Sequence, residues 1–142
     1  MGDDGASYFY IENSFWKARH EPDVLLVHYN DLKADLDGEM RRISAFLDIP
    51  VDETIWPDMV RVGDFSEMKK SADMLMPGAG MIFKGGGNTF LNKGTNNRWK
   101  DQVDPADLAL FEAKVRAQFS PSLAAWAEHG RLKAGDPAAL PD

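Results

Sequence analysis

Val24-Leu25-Leu26-Val27 is a continuous apolar run of strand length, followed directly by His28-Tyr29-Asn30-Asp31-Leu32-Lys33. An apolar run without polar alternation reads as a strand buried on both faces, as in a parallel sheet. The backbone N–H and C=O groups of such a strand need a neighbour on each side. No second convincing strand is legible elsewhere in the sequence. The run at 24–28 therefore implies either a missing half of a sheet or a partner chain.

Helical patterns surround this run. Tyr8, Ile11, Phe15 and Ala18 fall at helical spacing, so the pattern predicts an amphipathic helix over 8–19, ended by Pro22. Leu36, Met40, Ile43 and Leu47 form a second stripe with Asp37 as its N-cap and Pro50 as its stop. Asp52 is placed to cap a helix over 53–62, with Ile55, Trp56 and Met59 on it and Pro57 awkward within it. Asp64 is placed to cap a short helix through Lys70, with Glu67 at the capping-box position. From 71 to 89 the helical signal fades. Pro77, Gly78, Gly80 and Gly85-Gly86-Gly87 predict a long permissive flap, whose apolar content suggests packing on a ligand or partner. Asp104-Pro105 is a strong helix start, with Leu108, Phe111, Val115 and Phe119 as its stripe. Ser120 caps a last helix through Glu128 that Gly130 ends, and 133–142 reads as a frayed tail.

Composition bounds the function. The 142 residues are 44% hydrophobic and 27% charged, as expected of one globular domain. The net charge of −7 argues against a general nucleic-acid partner. Zero cysteines excludes disulfides and thiolate chemistry and is compatible with a cytoplasmic setting. The acidic start lacks the pattern of a secretory signal, and no apolar run is long enough to span a membrane. Asp35-Leu36-Asp37-Gly38 fails as a calcium loop, because Lys33 and Ser44 stand where acids would be required. His20, His28 and His129 have no metal spacing, and Lys84-Gly85-Gly86-Gly87 lacks the order of a phosphate-binding P-loop.

The chemically suggestive stretch is Phe90-Leu91-Asn92-Lys93-Gly94-Thr95-Asn96-Asn97-Arg98-Trp99-Lys100. A glycine beside a lysine lets backbone amides and an ammonium close on one phosphate. Lys100 reaches the same anion if the loop folds back. The competing reading is a polar loop pinned by a buried Trp99.

This stretch resembles the phosphate-binding loop of the cytosolic-type sulfotransferases, in which Arg-Lys-Gly and Gly-x-Trp-Lys grip the 3′-phosphate of 3′-phosphoadenosine 5′-phosphosulfate (PAPS). Val24 to Lys33 is similar to that family's strand followed by Tyr-Glu-Asp-Leu/Met-Lys. Asp64-Phe65-Ser66-Glu67-Met68-Lys69-Lys70 is similar to its Ser-Phe-x-x-Met-Lys, and the order of the segments is the family's. The resemblance implies an α/β, P-loop NTPase-like sulfotransferase fold. Within it this chain would be mostly α-helical with one buried parallel-type strand near 24–28, as a partial domain over 1–132. It implies PAPS as the sulfuryl donor and a small-molecule hydroxyl or amine as acceptor. Lys93, Gly94, Asn92 and Lys100 would lie at the 3′-phosphate, with Tyr29 and Phe65 at the adenine.

The sequence departs from the family at Asn92, where the arginine is expected, and at Asn97, where a glycine is expected. An amide cannot make the bidentate guanidinium contact to phosphate. The loop that holds the 5′-phosphosulfate and the catalytic histidine belong to the family's N-terminal half and find no counterpart here, so no catalytic residue is named. Two readings remain open. The chain is either the C-terminal half of a sulfotransferase, working with a separate N-terminal-half chain or as a homo-oligomer, or a non-catalytic remnant or helical partner-binding module.

Overall fold

The computed structural model describes residues 7–91, 93–99 and 102–142. The described residues form α1 (Tyr8–Ala18), α2 (Tyr29–Ala34), α3 (Leu36–Phe46), α4 (Trp56–Gly63), α5 (Phe65–Lys70), α6 (Ala72–Leu75), α7 (Ala79–Ile82), α8 (Gly87–Phe90), α9 (Pro105–Gln118), α10 (Pro121–His129) and α11 (Arg131–Ala134), then a 3-10 turn at Pro137–Ala139. They divide into two compact units. The first comprises Met1–Asp35 and Trp99–Asp142, the second Leu36–Arg98.

The expected strand is not formed. Val24 to His28 runs without helix, turn or bend, yet it joins no ladder among the described residues and is only half-buried. The physical reason is the one the sequence raised: a ladder needs a second extended segment, and the described residues supply none. Leu26 instead packs against an aromatic core of Trp16, Phe119, Leu123 and Trp126 in the first unit.

That core corrects the reading of α1. Tyr8, Ile11 and Phe15 are exposed, and the buried residue is Trp16. The true inner face runs through Phe9, Asn13 and Trp16. It was disguised by a polar residue at its centre, whose amide nitrogen donates to Phe9 O at 2.8 Å and Gln118 O at 3.1 Å. Phe9 meets Phe119 at 5.2 Å between ring centroids, and Trp16 meets Trp126 at 5.9 Å. The α9 and α10 starts follow the sequence. Asp104 accepts from Ala106 N at 2.7 Å, Ser120 from Leu123 N at 3.2 Å, and Gly130 ends α10 at φ +80°.

The tail expected to fray is held by Arg19. This buried guanidinium donates to Pro137 O at 3.0 Å, to Leu140 O at 3.2 Å and to the Asp142 carboxylate at 2.7 Å, and lies 4.5 Å from the Trp16 ring. A charged donor among carbonyls needs partners once desolvated, so it gathers the last residues around itself.

In the second unit, Asp37 lies within the first turn of α3 rather than capping it. It accepts from the Trp56 indole and pairs with Arg41 at 3.0 Å. Arg41 in turn holds Glu53 through two bonds of 2.6 and 2.9 Å. Leu47 falls beyond α3 and is exposed. Glu39 of α3 is fully buried, its carboxylate held by Arg42 at 2.8 Å. The helix expected from 53 begins at Trp56, which puts Pro57 harmlessly in its first turn, while Asp52 closes a turn onto Thr54. The flap is not an open loop: it coils into the one-turn helices α6, α7 and α8. Gly87 lets α8 approach α6, since a Cβ there would sit 2.5 Å from Ala72 O, and Asp73 accepts from Gly87 N at 3.0 Å.

Candidate functional site

The most informative local geometry lies around Gly94. Asp64 accepts from Ser66 N at 2.8 Å and so starts α5, which sets Phe65 at its first position. Gly94 lies on the Phe65 ring: a Cβ added there would be 2.6–2.7 Å from three ring carbons. Gly94 also has φ +58°, the left-handed region that glycine adopts without steric cost. Phe65 and Gly94, expected at one nucleotide site from separate motifs, are thus in contact. Beside them Lys93 is exposed, and its ammonium has no ion-pair partner among the described residues. The arrangement offers a half-buried ring, a glycine backbone with no side chain in the way, and an uncommitted cation, which suits an anion attached to a flat ring.

Asn97 sits at φ +62°. This is the position where the resembling family carries glycine. Asparagine is among the non-glycine residues that tolerate this left-handed conformation, which glycine adopts freely. Trp99 does not pin the loop as a buried indole: it is 46% exposed, with its carbonyl accepting from Gln102 N and Val103 N. Asn92 and Lys100 lie outside the described residues.

Tyr29 belongs to the first unit, whereas Phe65, Lys93 and Gly94 belong to the second. Tyr29 opens α2 rather than closing a strand, and its side chain is exposed. The helix is capped by His28, whose Nδ1 accepts from Asn30 N at 3.1 Å while Nε2 donates to Ala127 O at 3.0 Å. This fixes the tautomer and ties α2 to α10.

Sequence reasoning missed the role of Asp31. It is 1% exposed, and its carboxylate accepts from Arg131 N at 2.7 Å and Leu132 N at 3.0 Å. Gly130 makes room for it, because a Cβ there would lie 2.6–2.8 Å from the carboxylate atoms. The signal available was an acid just inside a helix and a glycine just after another, but nothing in the sequence joined two positions so far apart.

Among the described residues there is no metal-binding cluster of His, Cys, Asp or Glu, and no helix long and apolar enough to cross a membrane.

Residues 5–122 match the family described as the sulfotransferase domain. A glycolipid sulfotransferase from Mycobacterium bovis is 28% identical over 123 residues, covering 87% of this chain and 37% of the relative. Human sulfotransferase 1C2 is 26% identical over 117 residues, covering 80% of this chain and 38% of the relative. A luciferin sulfotransferase from Photinus pyralis is 23% identical over 129 residues, covering 82% and 33%. The chain thus spans little more than a third of the length of these relatives, and the match falls in their C-terminal part. No solved structure matches.

Proposed function

This chain belongs to the sulfotransferase family, and we propose on that premise that it supplies part of the adenine and 3′-phosphate grip for PAPS. The family moves a sulfuryl group from that donor to a hydroxyl or amine. The acceptor oxygen or nitrogen forms the new bond to sulfur as the bond from sulfur to the donor phosphate oxygen breaks. A base takes the acceptor proton, and adenosine 3′,5′-bisphosphate leaves.

The observation that carries the reading is the contact of Gly94 with Phe65, beside the uncommitted Lys93. Phe65 offers an aromatic face for a purine. The left-handed turns at Gly94 and Asn97 shape the loop around an anion, and Lys93 supplies its charge. Lys100 and Asn92 are assigned to the same loop by family resemblance, and Tyr29 to the adenine side. None of these groups carries the chemical step. That step is assigned to polypeptide equivalent to the part of the relatives outside the match.

Calorimetric titration with adenosine 3′,5′-bisphosphate tests this. The expected affinity is millimolar. Lys93→Ala should abolish it. Asn92→Arg should restore a charge-assisted bond of about 1.5–3 kcal/mol, or at least about tenfold in affinity. Binding unaffected by Lys93→Ala would remove the loop from the site. A silent titration even with Asn92→Arg would favour the second reading, a helical partner-binding module, which draws on the exposed Tyr8, Ile11 and Phe15 of α1.

A further inference from the structure

We propose that His28 is a proton-sensitive latch, tying α2 to α10 while its imidazole is neutral and releasing the helix start as the medium acidifies. Its two hydrogen bonds demand opposite characters of the two ring nitrogens. Nδ1 accepts from Asn30 N at 3.1 Å, closing the N-terminus of α2, and Nε2 donates to Ala127 O at 3.0 Å. A backbone N–H only donates and a carbonyl only accepts, so both bonds together require the neutral ring with its proton on Nε2. An added proton falls on Nδ1 and sets N–H against N–H. The cap is lost, and no rotation of the ring recovers it, because an imidazolium has no acceptor left. A cation at the start of α2 also meets the positive end of the helix dipole. Histidine is the side chain whose charge changes between about pH 5 and 8. The fold holds the deprotonated form, so the latch is closed above proton uptake and opens as pH falls through it.

The surroundings give the imidazolium no substitute. Asn30 N and Ala127 O are the hydrogen-bond partners of His28 among the described residues, and Trp126 stands edge-on to the ring at 5.3 Å between centroids. On α2, Asp31 is buried with its two oxygens committed to Arg131 N and Leu132 N, and Lys33 is exposed. On α10, Glu128 and His129 lie 3.8 Å apart, with exposed side chains. On α1, Glu12 lines the cleft beside Val27 and Trp126. At α11, Arg131 adds a positive charge that opposes another. Attraction from Glu12 and Glu128, neither of which bonds the ring, is screened by solvent, whereas the lost cap is a direct contact. The latch secures more than one bond. Asn30, whose backbone N–H it accepts, donates from its side chain to Glu128 O at 3.0 Å. Tyr29 lies between the ring and Asn30, so its turn is the first to loosen. All these contacts lie within the first unit, so the latch works whatever covers the outside of the chain and whether or not Lys93 meets a nucleotide.

The test is an NMR titration of the full chain from about pH 8 to about pH 5, the window in which histidine changes charge. It is read at the His28 ring nitrogens and the Asn30 amide. The ring should start as the Nε2–H tautomer, and the Asn30 amide should shift with the same midpoint as the ring. Amide exchange of Asn30, corrected for its intrinsic pH dependence, should lose about five- to tenfold of its protection across the titration, as expected for loss of a helix cap. His28→Gln keeps a donor and an acceptor on one side chain but cannot take up a proton, and should hold that protection within about twofold. His129→Gln should leave the parent's loss unchanged. An Asn30 amide that stays still while the ring titrates overturns the proposal, a result that needs no variant. So does a ring that begins as the Nδ1–H tautomer, and so does one that stays neutral across the whole window. A folded His28→Gln chain that loses protection as the parent does also overturns it and moves the titrating group to Glu12, Asp31 or His129.

Discussion

Replacing Asp31 should unfasten the first unit. Its buried carboxylate accepts two backbone N–H groups at 2.7 and 3.0 Å, both at the start of α11. Hydrogen bonds to a charged acceptor contribute about 1.5–3 kcal/mol each, so Asp31→Ala should cost about 3–6 kcal/mol, a large part of an ordinary domain's stability. Asp31→Asn keeps one carbonyl oxygen but turns an NH2 against the other amide, and should cost about half as much. The assay is a urea titration read at the indole N–H resonances of Trp16 and Trp126, which lie in the core of the same unit. With a urea slope of about 1–3 kcal/mol per molar, the Asn midpoint should fall by about 1 M and the Ala midpoint by more. Gly130→Ala supplies the coupling test. It places a Cβ 2.6–2.8 Å from the Asp31 carboxylate atoms at φ +80°, so it should be markedly less harmful in the Asp31→Ala background. Unfolding free energies for both Asp31 variants within about 0.5 kcal/mol of the parent would refute the assignment of this carboxylate as the fastener.

Gly94→Ala should lower the thermal midpoint by about 2–8 °C, because a left-handed alanine costs roughly 1–2 kcal/mol and its Cβ overlaps the Phe65 ring. Adding Phe65→Leu should recover part of that loss. Arg19→Ala should destabilise the first unit by about 2–4 kcal/mol and speed exchange of the Leu140 amide, since the guanidinium holds the carbonyls of Pro137 and Leu140. The Glu53 carboxyl is held below its ordinary value of 4.5 by its hydrogen bonds to Arg41. A depressed carboxylate contributes stability above its unfolded pKa and loses it as pH falls through the folded one, so the Arg41–Glu53 contact should open on the acid side of pH 4.5. An NMR titration should find the Glu53 midpoint below 4.5 in the parent and near its ordinary value in Arg41→Ala.

What the sequence disclosed were features set by neighbours along the chain. The caps at Asp64, Asp104 and Ser120 and the stop at Gly130 all stand where local chemistry placed them. The ordered motifs identified the family without a fold calculation. The misreadings came wherever a distant partner decided the outcome. Asn13 sits on the inner face of α1 because Gln118 O and Phe9 O accept its amide protons, and no periodicity scale counts asparagine as buried. Asp37 serves Trp56 and Arg41 rather than its own helix end. At the candidate site, the Lys93-Gly94 pair stands out in the sequence, but the contact of Gly94 with Phe65 does not, since only the folded chain brings those positions together. Val24 to Val27 carries the composition of a buried strand, but no described residue pairs with it to make it one.

The division of the chain has a consequence for the order of its birth. The second unit is one uninterrupted stretch, Leu36–Arg98, while the first is assembled from both ends of the sequence. Asp31 must wait for Arg131 and Leu132, and Arg19 for Pro137 and Leu140. During synthesis the second unit can therefore close as soon as it clears the ribosome. The first is left open for roughly 2–9 s more at ordinary elongation speeds, while the residues after Arg98 are added. Through that interval Val24 to Val27 and the aromatic face of α1 stand uncovered in a nascent chain. A chaperone that surveys emerging polypeptides for apolar runs would find this one accessible until Pro137 and Leu140 reach Arg19.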